Sequence, residues 1–153
     1  MSEPAARPLL IGIDPGQSKC GYAAVYEDGT RLAVEVVPTA LLAERIERDV
    51  RGQAVKVICV GDATTSEEIR RLCEARWPSI GVTLVDETNT TLEARRLYYD
   101  DNPPKGIMRF VPRGLLVPKE PLDGYAALLI LKRYRLAVEG KTYMLGKSAT
   151  GSS

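Results

Sequence analysis

The chain has 153 residues, of which 44% are hydrophobic and 27% are charged, and its net charge is +1. These values are ordinary for one globular domain with a sizeable core, and the near-neutral charge is not by itself the signature of a nucleic-acid-binding protein. Histidine is absent, which excludes Ser-His and Cys-His catalysis and histidine-based zinc sites.

The N-terminal third of the chain predicts a three-stranded antiparallel meander. Apolar runs at residues 8–13, 20–26 and 32–37 are separated by turn residues, including the Asp28-Gly29 pair that tight hairpins favour. The first run is apolar throughout and ends at Asp14. That pattern indicates a strand buried on both faces, at the centre of a sheet.

The remainder alternates helical and strand patterns. In chain order we expect a helix at 41–52, a strand at 55–61, a helix at 65–77 opened by Thr65 and Glu68, a strand at 81–85, a helix at 90–99, a loop at 100–120 with a short strand at 108–111, and a helix from 121 to about 140. The order predicts an α/β domain over 1–145: a mixed five-stranded sheet, with three antiparallel strands and then parallel crossovers, and helices on both faces. Residues 146–153 are small and polar, which is typical of a disordered tail.

Four acidic residues fall where predicted elements end or begin. Asp14 closes the first strand, Asp62 follows the fourth, Glu87 follows the fifth, and Asp123 lies in the first turn of the last helix. Parallel strands bring their carboxyl ends to one edge of a sheet, so these side chains are expected to converge there. Clustered carboxylates raise one another's pKa values, and two Mg²⁺ or Mn²⁺ ions about 4 Å apart would relieve the repulsion and activate water against a phosphodiester.

Each of these acids also has a simpler explanation when taken alone. Asp14 could be a turn former, and Asp62 and Asp123 could favour a helix dipole. Asp86 and Glu87 could be solvated loop charges. The conjunction of all four positions is therefore more specific than any one of them.

Basic residues are concentrated in the C-terminal third. Residues 102–153 contain nine Lys or Arg and three acids, which gives this segment a charge of +6 and the rest of the chain −5. Such asymmetry fits a basic surface beside an acidic pocket, although a solvated C-terminal helix would look the same. The candidate phosphate contacts are Lys19, Arg95, Arg109, Arg113 and Lys119.

The cellular compartment is predicted from what the chain lacks. No apolar run reaches the roughly 18 residues that span a membrane, and residues 1–8 lack the apolar core of a signal peptide. Cys20, Cys59 and Cys73 form no CxxC pair, and the first two sit in apolar runs. We expect a cytoplasmic protein without membrane contact.

Three short motifs occur in order along the chain. They are Ile13-Asp14-Pro15-Gly16 followed by Gly21, Val85-Asp86-Glu87 followed by Thr90-Thr91, and Asp123 followed by Ala126-Ala127. Together, over roughly residues 8–138, they resemble the YqgF family of RuvC-like proteins, which have a ribonuclease H-like fold.

The resemblance implies a metal-dependent nuclease in which Asp14, Glu87 and Asp123 are the acidic residues and Mg²⁺ or Mn²⁺ is the cofactor. Members of the family are linked to maturation of the precursor of 16S ribosomal RNA and were once proposed as Holliday-junction resolvases, so the resemblance implies structured RNA ahead of branched DNA as the substrate. RuvC-type resolvases have their second acid at the end of the fourth strand, which would select Asp62 instead.

Other functions stay open at the level of sequence. The near-neutral charge, and Thr88 where the family usually has arginine, favour a non-catalytic nucleic-acid-binding or ribosome-associated module. An ATP-binding relative of sugar kinases would need a second lobe, for which 153 residues leave little room. The strand at 32–37 could pair at a sheet edge, so both a monomer and a homodimer are compatible with the sequence.

Overall fold

The protein forms one five-stranded mixed sheet with helices on both faces. The computed structural model describes residues 7–88, 90–112, 115, 116, 118 and 121–150, and the side chains among them as far as residue 140. The strands are β1 (Pro8–Asp14), β2 (Lys19–Tyr26), β3 (Arg31–Pro38), β4 (Ala54–Gly61) and β5 (Gly81–Val85). The helices are α1 (Leu42–Gly52), α2 (Ser66–Arg76), α3 (Thr90–Asp101) and α4 (Asp123–Thr150).

The strand order is β3-β2-β1-β4-β5, so β1 is central. It pairs antiparallel with β2 and parallel with β4, which in turn pairs parallel with β5. The predicted α/β class, the antiparallel meander and the parallel crossovers are thereby confirmed, and the arrangement is consistent with a ribonuclease H-like fold. The carboxyl ends of β1, β4 and β5 and the start of β2 all lie at one edge of the sheet, here called the carboxyl edge.

Side chains of β1 alternate between two hydrophobic layers because a strand presents successive residues to opposite faces. Leu9, Ile11 and Ile13 pack with residues of α1 and α2, whereas Leu10 packs with α4 and with Leu97 of α3. Burying each such aliphatic side chain contributes about 1.5–3 kcal/mol to folding. The double-sided burial explains why the run before Asp14 contains no polar residue.

Glycines let α4 approach the sheet closely. A methyl group on Gly12 would lie 2.6 Å from the Ala127 carbonyl oxygen, and one on Gly21 would lie 1.7 Å from that of Asp123. Larger residues at these two positions would push the helix away from β1 and β2. The first turn of α4 is therefore held directly against the ends of the central strands.

A buried polar network fixes α1 against β2. The Tyr22 hydroxyl donates to Asp49 Oδ2 at 2.5 Å, and Arg45 Nη1 donates to the same oxygen at 2.9 Å. Asp49 is buried, and Arg45 also pairs with Glu35. Because the Asp49 carboxylate is removed from water, these donors are what make its charge tolerable.

The structure corrects three local predictions. Residues 106–110 form a 3₁₀ helix rather than part of a strand: Gly106 at its start adopts φ +64°, and Ile107 and Phe110 are exposed instead of packed in the sheet. Thr65 precedes α2 but makes no side-chain capping hydrogen bond. The last helix begins at Asp123 rather than 121 and continues past Gly140 to Thr150, since one glycine costs a helix only about 1 kcal/mol.

The helix α4 includes residues 146–150, and residues 151–153 fall outside the described residues. The disordered tail over 146–153 stays a prediction. The assignment of 1–145 to a single domain stays a prediction. β3 is an edge strand, as a dimer through its edge would require, but the oligomeric state also stays a prediction. Within the described part of the chain, no helix has the length and apolarity needed to cross a membrane.

Candidate active site

Three of the four predicted acids lie together at the carboxyl edge of the sheet. Asp14 is the last residue of β1, Glu87 follows the end of β5, and Asp123 is the first residue of α4. All three side chains are half-buried. The carboxyl group of Asp14 interacts electrostatically with both Glu87 and Asp123.

Glu87 reaches Asp14 across the end of the intervening strand. The sheet order places β4 between β1 and β5, and β4 ends in Gly61. A methyl group on Gly61 would lie 2.7 Å from Glu87 Oε2, so the absence of a side chain there makes room for the carboxylate. Asp14 and Glu87 share a hydrogen bond.

Asp123 is placed by its helix and by Lys19. The close approach of its backbone to Gly21 sets it beside Asp14, whose Cβ is 3.1 Å from the same hypothetical methyl group. Its Oδ2 lies 3.4 Å from Lys19 Nζ, which is an ion pair without hydrogen-bond geometry. That oxygen is otherwise buried and accepts no hydrogen bond. The positive end of the α4 dipole further favours a carboxylate here.

Burial and neighbouring charges perturb the titration of Asp14 and Glu87. Burial raises the pKa of Asp14 from 3.8 to about 7, with further contributions from the charges of Glu87 and Asp123 and from the hydrogen bond to Glu87. Burial also raises the pKa of Glu87, opposed by the hydrogen bond from Asp14 and reinforced by the charges of Asp62 and Asp86. Near neutral pH the Asp14–Glu87 pair therefore retains a proton that exposed carboxyl groups would have lost.

The carboxylate oxygens of the site suit a hard divalent cation, but they do not form a complete set of ligands around a single ion. Carboxylate oxygens are the ligands that Mg²⁺ and Mn²⁺ prefer, and the buried Asp123 Oδ2 has an acceptor position to fill. Across the described residues, however, no three Asp, Glu or Cys side chains are grouped tightly enough to hold a single ion. What the site offers is two adjoining pairs, Asp14 with Glu87 and Asp14 with Asp123.

Asp62 lies beside this site rather than within the pair at Asp14. Its side chain is exposed, and its backbone N–H donates to the Val85 carbonyl at 2.8 Å, which ties the end of β4 to that of β5. Its charge acts on Glu87. Of the two candidates for the second acid, it is Glu87 whose side chain contacts Asp14.

The predicted basic residues are distributed unevenly. Lys19 is at the site through its ion pair with Asp123. Arg95 is half-buried on α3, and Arg109 is exposed with its guanidinium 4.9 Å from the centre of the Phe110 ring. Arg113 and Lys119 lie outside the described residues.

Sequence reasoning missed two residues that shape the site. Gly61 could have been noticed as a glycine ending a buried strand directly before an acid. Arg133 on α4 gives no such signal, yet it donates to the backbone carbonyls of Asp86 and Thr88, on either side of Glu87. Its role depends on tertiary structure, which a local motif does not encode.

Comparisons with known proteins give limited similarity. No family model matches the chain. A 50-residue stretch is 42% identical to the crossover junction endodeoxyribonuclease RuvC of Anaeromyxobacter sp. (strain Fw109-5), which takes in 33% of this chain and 23% of that protein.

A solved structure, a ROK family transcriptional regulator described as a homolog of the E. coli MLC protein, aligns with 60% of this chain and 31% of its own at 12% identity and a TM-score of 0.41. The chain therefore spans less than a quarter of the length of the curated relative it matches, and only about a third of the structural one. The sequence match relates part of this chain, at a distance, to a protein named as a nuclease.

Proposed function

We propose that this protein is a divalent-metal-dependent nuclease that hydrolyses phosphodiester bonds in structured nucleic acid. The observation that supports this most is the electrostatic coupling of Asp14, at the end of the central strand, to both Glu87 and Asp123. Burying several carboxylates together costs free energy of desolvation, which a bound cation would offset by compensating their charge. The partial match to RuvC supports the same class of reaction.

In this proposal Asp14 is the ligand shared by two Mg²⁺ or Mn²⁺ ions, Glu87 holds one of them and Asp123 the other. Asp62 is close enough to act electrostatically on Glu87 and is a possible fourth ligand through water. When bound, two such ions polarise the phosphodiester and supply an activated water.

The chain's own groups prepare the site in two ways. Asp14 and Glu87 share a proton near neutral pH, which must leave before a cation binds, so metal affinity falls as the pH drops below about 7. Lys19 neutralises Asp123 in the metal-free chain. Its side chain is 56% exposed, so the ammonium can turn toward a substrate phosphate once a cation takes its place.

Two classes of substrate are proposed, structured RNA and branched DNA, and each is supported by a different observation. The motif resemblance to the YqgF family favours structured RNA such as precursor 16S ribosomal RNA. The name of the partial relative favours branched DNA. Both belong in the same assay, since the carboxylate site treats the two phosphodiester backbones alike.

The test is a cleavage assay on a four-way DNA junction, a structured RNA and a linear duplex, each with Mn²⁺ or with EDTA. The proposal expects cleavage of at least one structured substrate that EDTA abolishes. Asp14→Asn should reduce it by about 100-fold or more, since it loses several kcal/mol of metal-based stabilisation. Asp28→Asn, an exposed turn position, is the matched control. Equal cleavage by the wild type and Asp14→Asn, or cleavage in EDTA, would refute the assignment.

A non-catalytic nucleic-acid-binding module is the second candidate. It is favoured by the Lys19–Asp123 ion pair and by the lack, within the described residues, of a closed three-ligand group. This function predicts salt-dependent binding that EDTA leaves unchanged, with no cleavage of any of the three substrates.

A further inference from the structure

Arg133 makes two hydrogen bonds to the short connection between β5 and α3, and a third to Glu93 in the first turn of α3. Its Nη1 donates to the Asp86 carbonyl at 2.8 Å, and its Nη2 donates to the Thr88 carbonyl at 2.6 Å and to Glu93 Oε2 at 3.2 Å. The two carbonyls belong to the residues immediately before and after Glu87. The planar guanidinium presents two separate nitrogens in a rigid fork to these carbonyls, whereas a lysine has one ammonium on a flexible stem.

Short-range bonds also shape the described part of the connection between β5 and α3, residues 86–88. Asp86 Oδ1 accepts from the Thr88 backbone N–H at 3.1 Å and from its hydroxyl at 2.6 Å. The Thr90 N–H donates to the Glu87 carbonyl at 3.2 Å. These three bonds shape the turn from within, while the Glu87 side chain reaches Asp14 at the end of β1. Arg133 ties the turn to α4, the helix that begins with Asp123.

The geometry points to Arg133 as a positioning residue for Glu87, an inference that rests on the proposed metal-dependent function. By fixing the backbone on both sides of Glu87, Arg133 keeps that carboxylate over Gly61 and beside Asp14. One helix then sets two of the three acids, Asp123 directly and Glu87 through its guanidinium. Residues that orient a metal ligand from behind typically change metal affinity by about 10- to 100-fold when they are lost.

A second arginine of α4, Arg135, is a matched control that distinguishes a positioning role of Arg133 from a merely structural one. Arg135 lies on the same helix and donates from Nη2 to the Glu27 carbonyl at 2.9 Å. The Glu27 backbone N–H donates to the carbonyl of Pro8, the first residue of β1. This contact lies at the opposite end of the sheet from the candidate site. Arg135→Met and Arg133→Met therefore each remove one positive charge and a backbone tether of α4, but only the second is at Glu87.

The experiment measures Mn²⁺ affinity by electron paramagnetic resonance of the free ion for the wild type, Arg133→Met, Arg133→Lys and Arg135→Met. We expect Arg133→Met to bind Mn²⁺ about 10- to 100-fold more weakly, Arg133→Lys to be intermediate, and Arg135→Met to stay within about twofold of the wild type. Loss of a positive charge would by itself strengthen cation binding. Weaker affinity therefore reports lost positioning, and unchanged or tighter binding by Arg133→Met overturns the inference.

A metal-free measurement separates this inference from the proposed function. Amide hydrogen exchange across residues 86–90 should be faster in Arg133→Met than in Arg135→Met, and equal rates would overturn the anchoring role. If the wild type binds no Mn²⁺ at Asp14 while exchange is faster in Arg133→Met alone, the proposed function fails and the anchoring of Glu87's backbone stands.

Discussion

Asp14 gives the most direct link between the geometry of the site and a measurable free energy. Its pKa is raised from 3.8 to about 7, so the folded chain holds a proton between these pH values that the unfolded chain releases. Below pH 3.8 the carboxyl group is protonated in both states. As the pH rises toward 7 the free energy of unfolding therefore falls, and above 7 it levels off.

The size of this loss follows from the shift. A pKa that moves from 3.8 to about 7 corresponds to about 4 kcal/mol of folding free energy lost on full ionisation, and partial access to water lowers the expected loss to about 2–4 kcal/mol. Asp14→Asn removes the titrating group but retains an amide that can donate to Glu87 as the protonated acid does. We expect the variant to gain about 2–4 kcal/mol of stability relative to the wild type between pH 4.5 and pH 8.5.

The assay is urea unfolding followed by circular dichroism over that pH range, without divalent cations. Asp28→Asn is the control, since a hydrogen bond from the Thr30 backbone lowers the pKa of that exposed carboxyl to about 2. It is ionised in both the folded and the unfolded chain from about pH 4.5 to about pH 8.5, so the stability difference between Asp28→Asn and the wild type should not change over this range. A stability difference between Asp14→Asn and the wild type that does not change with pH would refute the reasoning, because it would mean that Asp14 titrates normally.

Three further predictions test other parts of the structure. Gly61→Ala should displace Glu87 and weaken Mn²⁺ binding by about tenfold or more, as measured by paramagnetic resonance. Asp49→Ala should cost about 3–5 kcal/mol in urea unfolding at pH 7, because it leaves the buried Arg45 without one of its carboxylates. Arg109→Ala should reduce by about one the slope of log binding constant against log salt concentration for a nucleic-acid substrate, which fluorescence anisotropy measures.

Each of these predictions has its own control. A methyl group on Gly81 would meet nothing within 4 Å, so Gly81→Ala should leave Mn²⁺ affinity unchanged. Glu67→Gln alters only an exposed ion pair and should cost less than about 1 kcal/mol. Arg51, exposed on α1, is the matched arginine for the salt titration, and an equal slope change in Arg51→Ala would argue against a specific contact at Arg109.

Sequence patterns predicted the sheet because its signals are local and redundant. The apolar run before Asp14 and the alternating strand and helix periods fixed the central position of β1 and the direction of β4 and β5. Patterning was weaker at residues 106–110, where Ile107 and Phe110 have strand propensity but are largely exposed. Gly106 adopts φ +64° at the start of this 3₁₀ helix, a backbone conformation that residue propensities do not report.

The candidate site was predictable in its acids but not in what arranges them. Strand ends and a helix start placed Asp14, Glu87 and Asp123 at one edge, since parallel strands share a carboxyl edge. The clearance at Gly61 and the Arg133 hydrogen bonds depend on atoms from distant elements, so no spacing in the sequence encodes them. The Lys19–Asp123 ion pair was likewise not expected, although Lys19 itself was chosen as a phosphate contact.

The central claim is that Asp14 joins two carboxylates into a site for divalent cations. A crystal of the protein soaked in MnCl₂ tests it directly through anomalous scattering from manganese. The account predicts peaks beside Asp14, toward Glu87 and toward Asp123, and their loss in Asp14→Asn. Manganese bound only elsewhere, or peaks that persist unchanged in Asp14→Asn, would contradict it.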